Sequence, residues 1–145
     1  MGKHKAKKSA PRKGPCDHLK KGSANGKGPY RGGSSGGTKG QGVDSHHAPA
    51  NSVSPLRTSQ GPAVQVKPAD NVLTSSHGHQ GKAGALYRAQ IDALLKQGKW
   101  RDAMAKEIRD LRRVAKSTGD PKKYNEGIKE MLDYFNCLEK HNLLK

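Results

Sequence analysis

Asp44-Ser45-His46-His47-Ala48-Pro49, joined by a loop to Pro62-Ala63-Val64-Gln65-Val66-Lys67-Pro68-Ala69-Asp70-Asn71, is the stretch on which the fold turns. Ala63–Lys67 alternates between two prolines and reads as a short strand. Pro49 and Pro55 place a loop after the histidine pair. On an extended chain Asp44 and His46 share one face, whereas His47 points to the other. Residues 41–80 hold four of the seven histidines, His46, His47, His77 and His79, and their basic residues (Arg57, Lys67) equal their acidic ones (Asp44, Asp70). A charge-neutral, histidine-rich island inside a very basic chain reads as a site rather than a surface.

The flanks differ in kind. Residues 1–40 carry eleven Lys or Arg against one acidic residue, Asp17, and Gly and Ser dominate from Gly22 to Gly37. Such a segment buries too little apolar surface to offset its ordering entropy, so it is expected to be a largely loop-like basic arm. Residues 81–145 read as helical. Tyr87, Ile91, Leu94 and Leu95 keep helical spacing up to Gly98; Trp100, Met104, Ile108, Leu111 and Val114 form a second stripe ending near Gly119. Asp120-Pro121 reads as an N-cap and first-turn proline before a third stripe of Ile128, Met131, Leu132, Phe135 and Leu138. These stripes are core positions.

Composition narrows the function classes. A formal charge of +16 on 145 residues concentrates polyanions around the chain, so nucleic acid, an acidic protein or a membrane surface is the expected partner. No apolar run approaches the roughly 20 residues of a membrane span. Cys16 and Cys137 lie far apart and in no CxxC arrangement; a reducing setting is the default expectation, with a long-range disulfide as the alternative. Gly22–Gly42 contains neither a P-loop nor a strand-GxGxxG-helix pattern, no nucleophile elbow occurs, and the HxE and PCxxC pair of zinc deaminases is missing.

Adjacent imidazoles can divide labour at a phosphodiester. One neutral ring binds a divalent metal, and the other, titrating near neutrality, takes a proton from the attacking water. The metal stabilises charge on the phosphate and the leaving oxygen. His77 lies nearly two helical turns beyond Asn71 and shares its face only approximately. It is either a further ligand, a substrate contact or a loop residue, and His79 is a weaker candidate. Ser75 and Ser76 are possible helix caps. His4 and His141 read as structural or solvated.

The order Ser-His-His, strand, then Pro68-Ala69-Asp70-Asn71 leading to helix resembles the HNH/endonuclease VII superfamily, in particular polymorphic toxin nucleases with an xHH signature. The resemblance covers roughly residues 41–90, with similar flanking pieces at Gly14–Leu19, Gly28–Gly33 and Lys122–Asn125. It implies an α+β fold with a small ββα-metal (His-Me finger) core at 41–84, a helical extension at 85–145 and the basic arm at 1–40. It further implies a metal-dependent endonuclease with His47 as general base and His46 as metal ligand, although these two roles can be exchanged. Asp44, Asn71 and His77 are the further candidate ligands, and the metal is Mg²⁺ or a transition metal such as Zn²⁺, Ni²⁺ or Mn²⁺. Asn71 departs from the pattern, since the related toxins carry histidine there. Its amide oxygen can hold a hard cation but replaces imidazole poorly at a softer metal. It is either native chemistry or a disarming substitution.

The expected substrate is DNA, with RNA open, contacted by Arg31, Arg57, Lys67, Lys82 and Arg88. The resemblance also implies a cognate acidic immunity protein, no membrane partner, and a delivered effector acting in a target-cell cytoplasm after being held with its immunity protein in the producer. Arg101, Arg109, Arg112 and Arg113 lie along a phosphate backbone or form a solvated face. Two alternatives share the charge: a non-catalytic basic nucleic-acid-binding module, and a helical domain that binds an acidic partner.

Overall fold

The computed structural model describes residues 14–23, 26 and 28–144 of the chain. His4 and the first thirteen residues of the expected basic arm lie outside the described residues. The protein is α+β, with strands β1 (Gly32–Ser34), β2 (Asp44–His47) and β3 (Pro62–Val66). They are followed by helices α1 (Pro68–Asn71), α2 (Gly81–Lys96), α3 (Trp100–Ser117) and α4 (Asn125–Lys140). The sheet is antiparallel in the order β1-β3-β2, so β3 is central and pairs His46 with Val64 and His47 with Ala63. β3 forms where the alternation predicts it, and its Val64 and Val66 are fully buried.

Within the segment expected to be loop, Gly32–Ser34 is a strand paired with Pro62–Val64. Its formation has nothing to do with strand propensity. α4 lies across β1 and β3, and it does so at contact distance because neither chain carries a side chain at the crossing. A Cβ on Gly32 would fall 1.8 Å from the Gly127 carbonyl oxygen, and one on Gly127 would fall 2.8 Å from Val64 Cγ2. Sequence reading cannot see such a strand, since Gly-Gly-Ser has no hydrophobic pattern.

The three C-terminal stripes are buried as expected, with Ile91, Met104, Leu111, Ile128, Met131 and Phe135 inside one continuous core and Val114 also buried. The start of α4 differs from expectation. Asp120 Oδ1 accepts the Lys122 N–H at 3.0 Å, which closes a turn, and the helix begins only at Asn125. The intervening chain brings Tyr124 under the sheet, where its hydroxyl donates to buried Asp70 at 2.6 Å and accepts the Lys67 N–H at 3.0 Å. Lys123 Nζ donates to the same Asp70 carboxylate at 2.7 Å. The carboxylate thus has two donors in a site that would otherwise penalise its charge.

The default expectation of unpaired cysteines is corrected: Cys16 and Cys137 form a disulfide, their Cα atoms 5.8 Å apart. The short helical turn Asp17–Leu19 packs against α4, which brings together positions 121 residues apart in sequence. The cross-link closes a loop long enough for a large entropic effect on the unfolded chain. Replacing both cysteines by serine is expected to lower the unfolding free energy by roughly 2–5 kcal/mol, measured by urea denaturation. Identical midpoints for the oxidised protein and the double variant would show that the bond does not constrain the unfolded chain.

Candidate functional site: a histidine cleft

β2 delivers the histidines, and alternation along it sets their neighbours. Asp44 and His46 both face α1, where the Asn71 side chain sits between them. Asn71 Nδ2 donates to Asp44 Oδ2 at 3.0 Å, and Asn71 Oδ1 lies 2.9 Å from His46 Nδ1. A carboxylate only accepts, so it fixes which end of the amide faces it; the amide oxygen then requires that His46 Nδ1 be the donor. His46 is therefore held as the Nδ1–H tautomer with its lone pair on Nε2. The ring is 6 % exposed, and burial pushes its pKa down to about 4, further lowered by the neighbouring His47 and His77 against the opposing pull of Asn71 and Asp110. At neutral pH His46 carries no charge.

His47 faces the other way. Its Nε2 lies 3.0 Å from the Thr58 carbonyl, which can only accept, so Nε2 is the donor and, in the neutral ring, the lone pair is on Nδ1. The ring passes over Gly61, where a Cβ would approach His47 Cδ2 to 3.1 Å. β2 is followed by a cis Ala48–Pro49 peptide.

α1 lasts a single turn. The Thr74 hydroxyl donates to the Asn71 carbonyl at 2.7 Å, and the next residue, Ser75, is drawn to α3. Its N–H and hydroxyl donate to the two Asp110 oxygens at 2.7 and 2.6 Å. This excursion carries His77 back over the histidine pair. His77 Nδ1 accepts the His79 N–H at 3.0 Å, which leaves Nε2–H as the ring's donor. Ser45, His46, His47, Asn71, His77 and Arg88 share one cleft of about 440 Å³, completed by Ala50–Ser52, Thr74, Ser76 and Gly78.

The expected site residues therefore separate. His46, His47, Asn71, His77 and Arg88 come together, whereas Asp44 stands behind Asn71 and does not line the cleft. His79 is exposed at its edge, its ring 6.4 Å from that of His77. Arg57, Lys67 and Lys82 are exposed outside it. Arg31 is elsewhere, bound to Glu126 and Glu130 of α4. Sequence reading assigned no role to Glu107 and Asp110, which prove to fix the two cleft walls from one helix. Glu107 is 1 % exposed; its carboxylate accepts the Ala50 N–H at 2.7 Å and the Tyr87 hydroxyl at 3.0 Å. The signal available in the sequence is their spacing, three apart beside the α3 apolar stripe.

Among the described residues, no group of three or more His, Cys, Asp or Glu side chains is arranged to hold a metal. The donor chemistry agrees with that. No carboxylate lines the cleft, the Asn71 oxygen already accepts from His46, and His77 has spent its lone pair on a backbone N–H. Of the candidate ligands, only His46 Nε2 would be left to meet a cation, and imidazole suits a transition metal better than Mg²⁺. In comparisons with known proteins, the chain matches no family model, no curated protein and no solved structure.

Two buried groups give the site an opposed response to pH. Burial raises the Glu107 pKa from 4.5 to about 7, so its contribution to stability is complete below 4.5 and lost as pH rises through 7. The His46 pKa is depressed from 6.5 to about 4, so its contribution is present above 6.5 and lost as pH falls through 4. Each shift corresponds to about 3 kcal/mol, and between these limits the two slopes oppose. In Glu107→Gln the amide can still accept from Ala50 and donate to Tyr87. Subtracting its urea-unfolding profile from that of the parent should reveal a stability difference that grows as pH falls from 7 to 4.5. A pH-independent difference would mean that Glu107 ionises normally in the folded protein.

Proposed function

We propose that the protein is a nuclease domain that hydrolyses phosphodiester bonds, with His47 as general base and His46 as the imidazole that meets the phosphate-bound cation. The observation that carries this reading is the convergence of His46, His47, Asn71, His77 and Arg88 on one cleft that no carboxylate lines. Each tautomer is set by a neighbour: Asn71 leaves the His46 lone pair on Nε2, and the Thr58 carbonyl leaves that of His47 on Nδ1. A base positioned in this way accepts the proton of a water attacking phosphorus, and the neutral, buried His46 suits a ligand better than a base. A divalent cation such as Mg²⁺, Mn²⁺, Ni²⁺ or Zn²⁺, entering with the phosphate, would supply Lewis-acid stabilisation of the developing charge.

The antiparallel β2–β3 pair followed at once by α1 supports a ββα-metal core of the HNH type, with Asn71 in the helix as a positioning group for His46. The charge of +16 supports a polyanionic substrate, read here as DNA with RNA as the competing outcome. It also supports an acidic immunity protein, because complementary charge accelerates association. The Cys16–Cys137 bond supports a toxin that passes through an oxidising compartment on its way to a target cell. Among the described residues no helix is long and apolar enough to cross a membrane.

A non-catalytic basic binding module explains the charge equally well but gives no reason for two tautomer-locked imidazoles. Turnover separates the two. The parent protein should cut plasmid DNA with Mg²⁺ or Mn²⁺ and stop on addition of EDTA. His47→Ala should lose about 10²–10⁴-fold in rate, the usual worth of a general base, while retaining salt-sensitive DNA binding. Cleavage by His47→Ala at the parental rate would remove His47 from the chemistry, and cutting of RNA alone would reassign the substrate.

A further inference from the structure

We infer that Arg88 and His77 form a phosphate-binding subsite on the α2 side of the cleft, so that the substrate is held by one phosphate group before any chemistry occurs. The inference deepens the nuclease reading and rests on it for the identity of the phosphate's owner, but the anion site itself does not. Among the described residues two arginines are half-buried, Arg31 and Arg88. Arg31 is neutralised by Glu126 and Glu130. Among the described residues Arg88 has no carboxylate partner, and its one acceptor is the Ser76 carbonyl, 2.8 Å from Nη1. A guanidinium has five N–H donors, so most of its capacity is left for a ligand.

The site is built to hold that side chain in place. Gly84 lies one helical turn before Arg88, and a Cβ there would approach Arg88 Nη1 to 3.2 Å and the His77 carbonyl oxygen to 2.9 Å. Only a glycine lets α2 come this close to the 76–78 segment while the guanidinium crosses it. His77 contributes the second donor, because its Nδ1 is occupied by the His79 N–H and Nε2 carries the proton. Apart from Ala50 and Gly78 the remaining lining is hydroxyl, amide and imidazole, with no negative side chain to compete for these donors. A forked cation beside an N–H donor, in a cleft without carboxylates, matches the geometry and charge of a tetrahedral oxyanion.

The test is a titration with inorganic phosphate at pH 7 and constant ionic strength, followed by the ring C–H resonances of His77 and His46 in NMR. It is run on the whole chain with its disulfide intact. The parent should saturate with a dissociation constant below about 10 mM. Arg88→Gln, which keeps a donor for the Ser76 carbonyl, should weaken binding about tenfold or more, and Arg88→Lys should recover part of the loss. In cleavage assays Arg88→Gln should raise KM more than it lowers kcat. Equal phosphate affinity in the parent and Arg88→Gln, or no saturation in the parent, would overturn the subsite. Phosphate binding that is lost with Arg88, in a protein that cuts no nucleic acid, would leave the subsite standing and remove the nuclease reading instead.

Discussion

The close seating of α4 on the sheet at Gly32 and Gly127 is the constraint on which the site depends. Any side chain at either position would push the helix away by more than packing can absorb. With the helix seated, Glu130 reaches the Gly32 N–H at 3.0 Å and the Ser23 N–H at 2.8 Å, and pairs with Arg31. One buried carboxylate thereby satisfies a backbone donor of an edge strand that lacks any apolar side chain of its own, and another in the loop before it. At the other end of the contact, Tyr124 and Lys123 hold Asp70, the residue next to Asn71. The position of the amide that sets the His46 tautomer is thus fixed from the far side of the sheet.

α3 does comparable work for both walls of the cleft. Glu107 anchors the chain after β2 through Ala50, and Asp110 anchors the chain after α1 through Ser75. These two loops face each other across the cleft, and loops of this kind drift unless rigid elements hold them. Carboxylates suit the task because each accepts two bonds, and in a chain with 28 Lys and Arg against 12 Asp and Glu they are scarce. Five of them, Glu126, Glu130, Glu107, Asp110 and Asp70, are used inside or at the edge of the fold. The other seven stand against 28 Lys and Arg, which leaves a strongly positive field toward polyanions.

Burial and orientation together separate the paired histidines, which look equivalent in sequence. His46 is enclosed, neutral and directed by an amide, whereas His47 lies nearer the solvent and is directed by a backbone carbonyl. The difference follows from the strand period of two, which sends neighbours to opposite faces and so into different surroundings. It also gives Asn71 a use that does not require it to ligate an ion: its donor goes to Asp44 and its acceptor to His46, a division that an amide makes naturally.

The sequence by itself determined the elements whose signal is local. Three amphipathic stripes specified α2, α3 and α4, and the alternation between Pro62 and Pro68 specified β3, because burying one face imposes its period on the chain. The histidine island and its neutral surroundings were legible from composition, four of seven histidines with balanced charge over residues 41–80. Only the tertiary structure decided that Gly32–Ser34 is a strand, that Cys16 meets Cys137, and that α4 starts at Asn125. It also decided that Arg31 is committed to an internal ion pair whereas Arg88 opens onto the cleft. The strand, the disulfide and the Arg31 ion pair depend on partners about 30 to 121 residues distant, and contacts at such separations leave no periodic trace in the residues that make them.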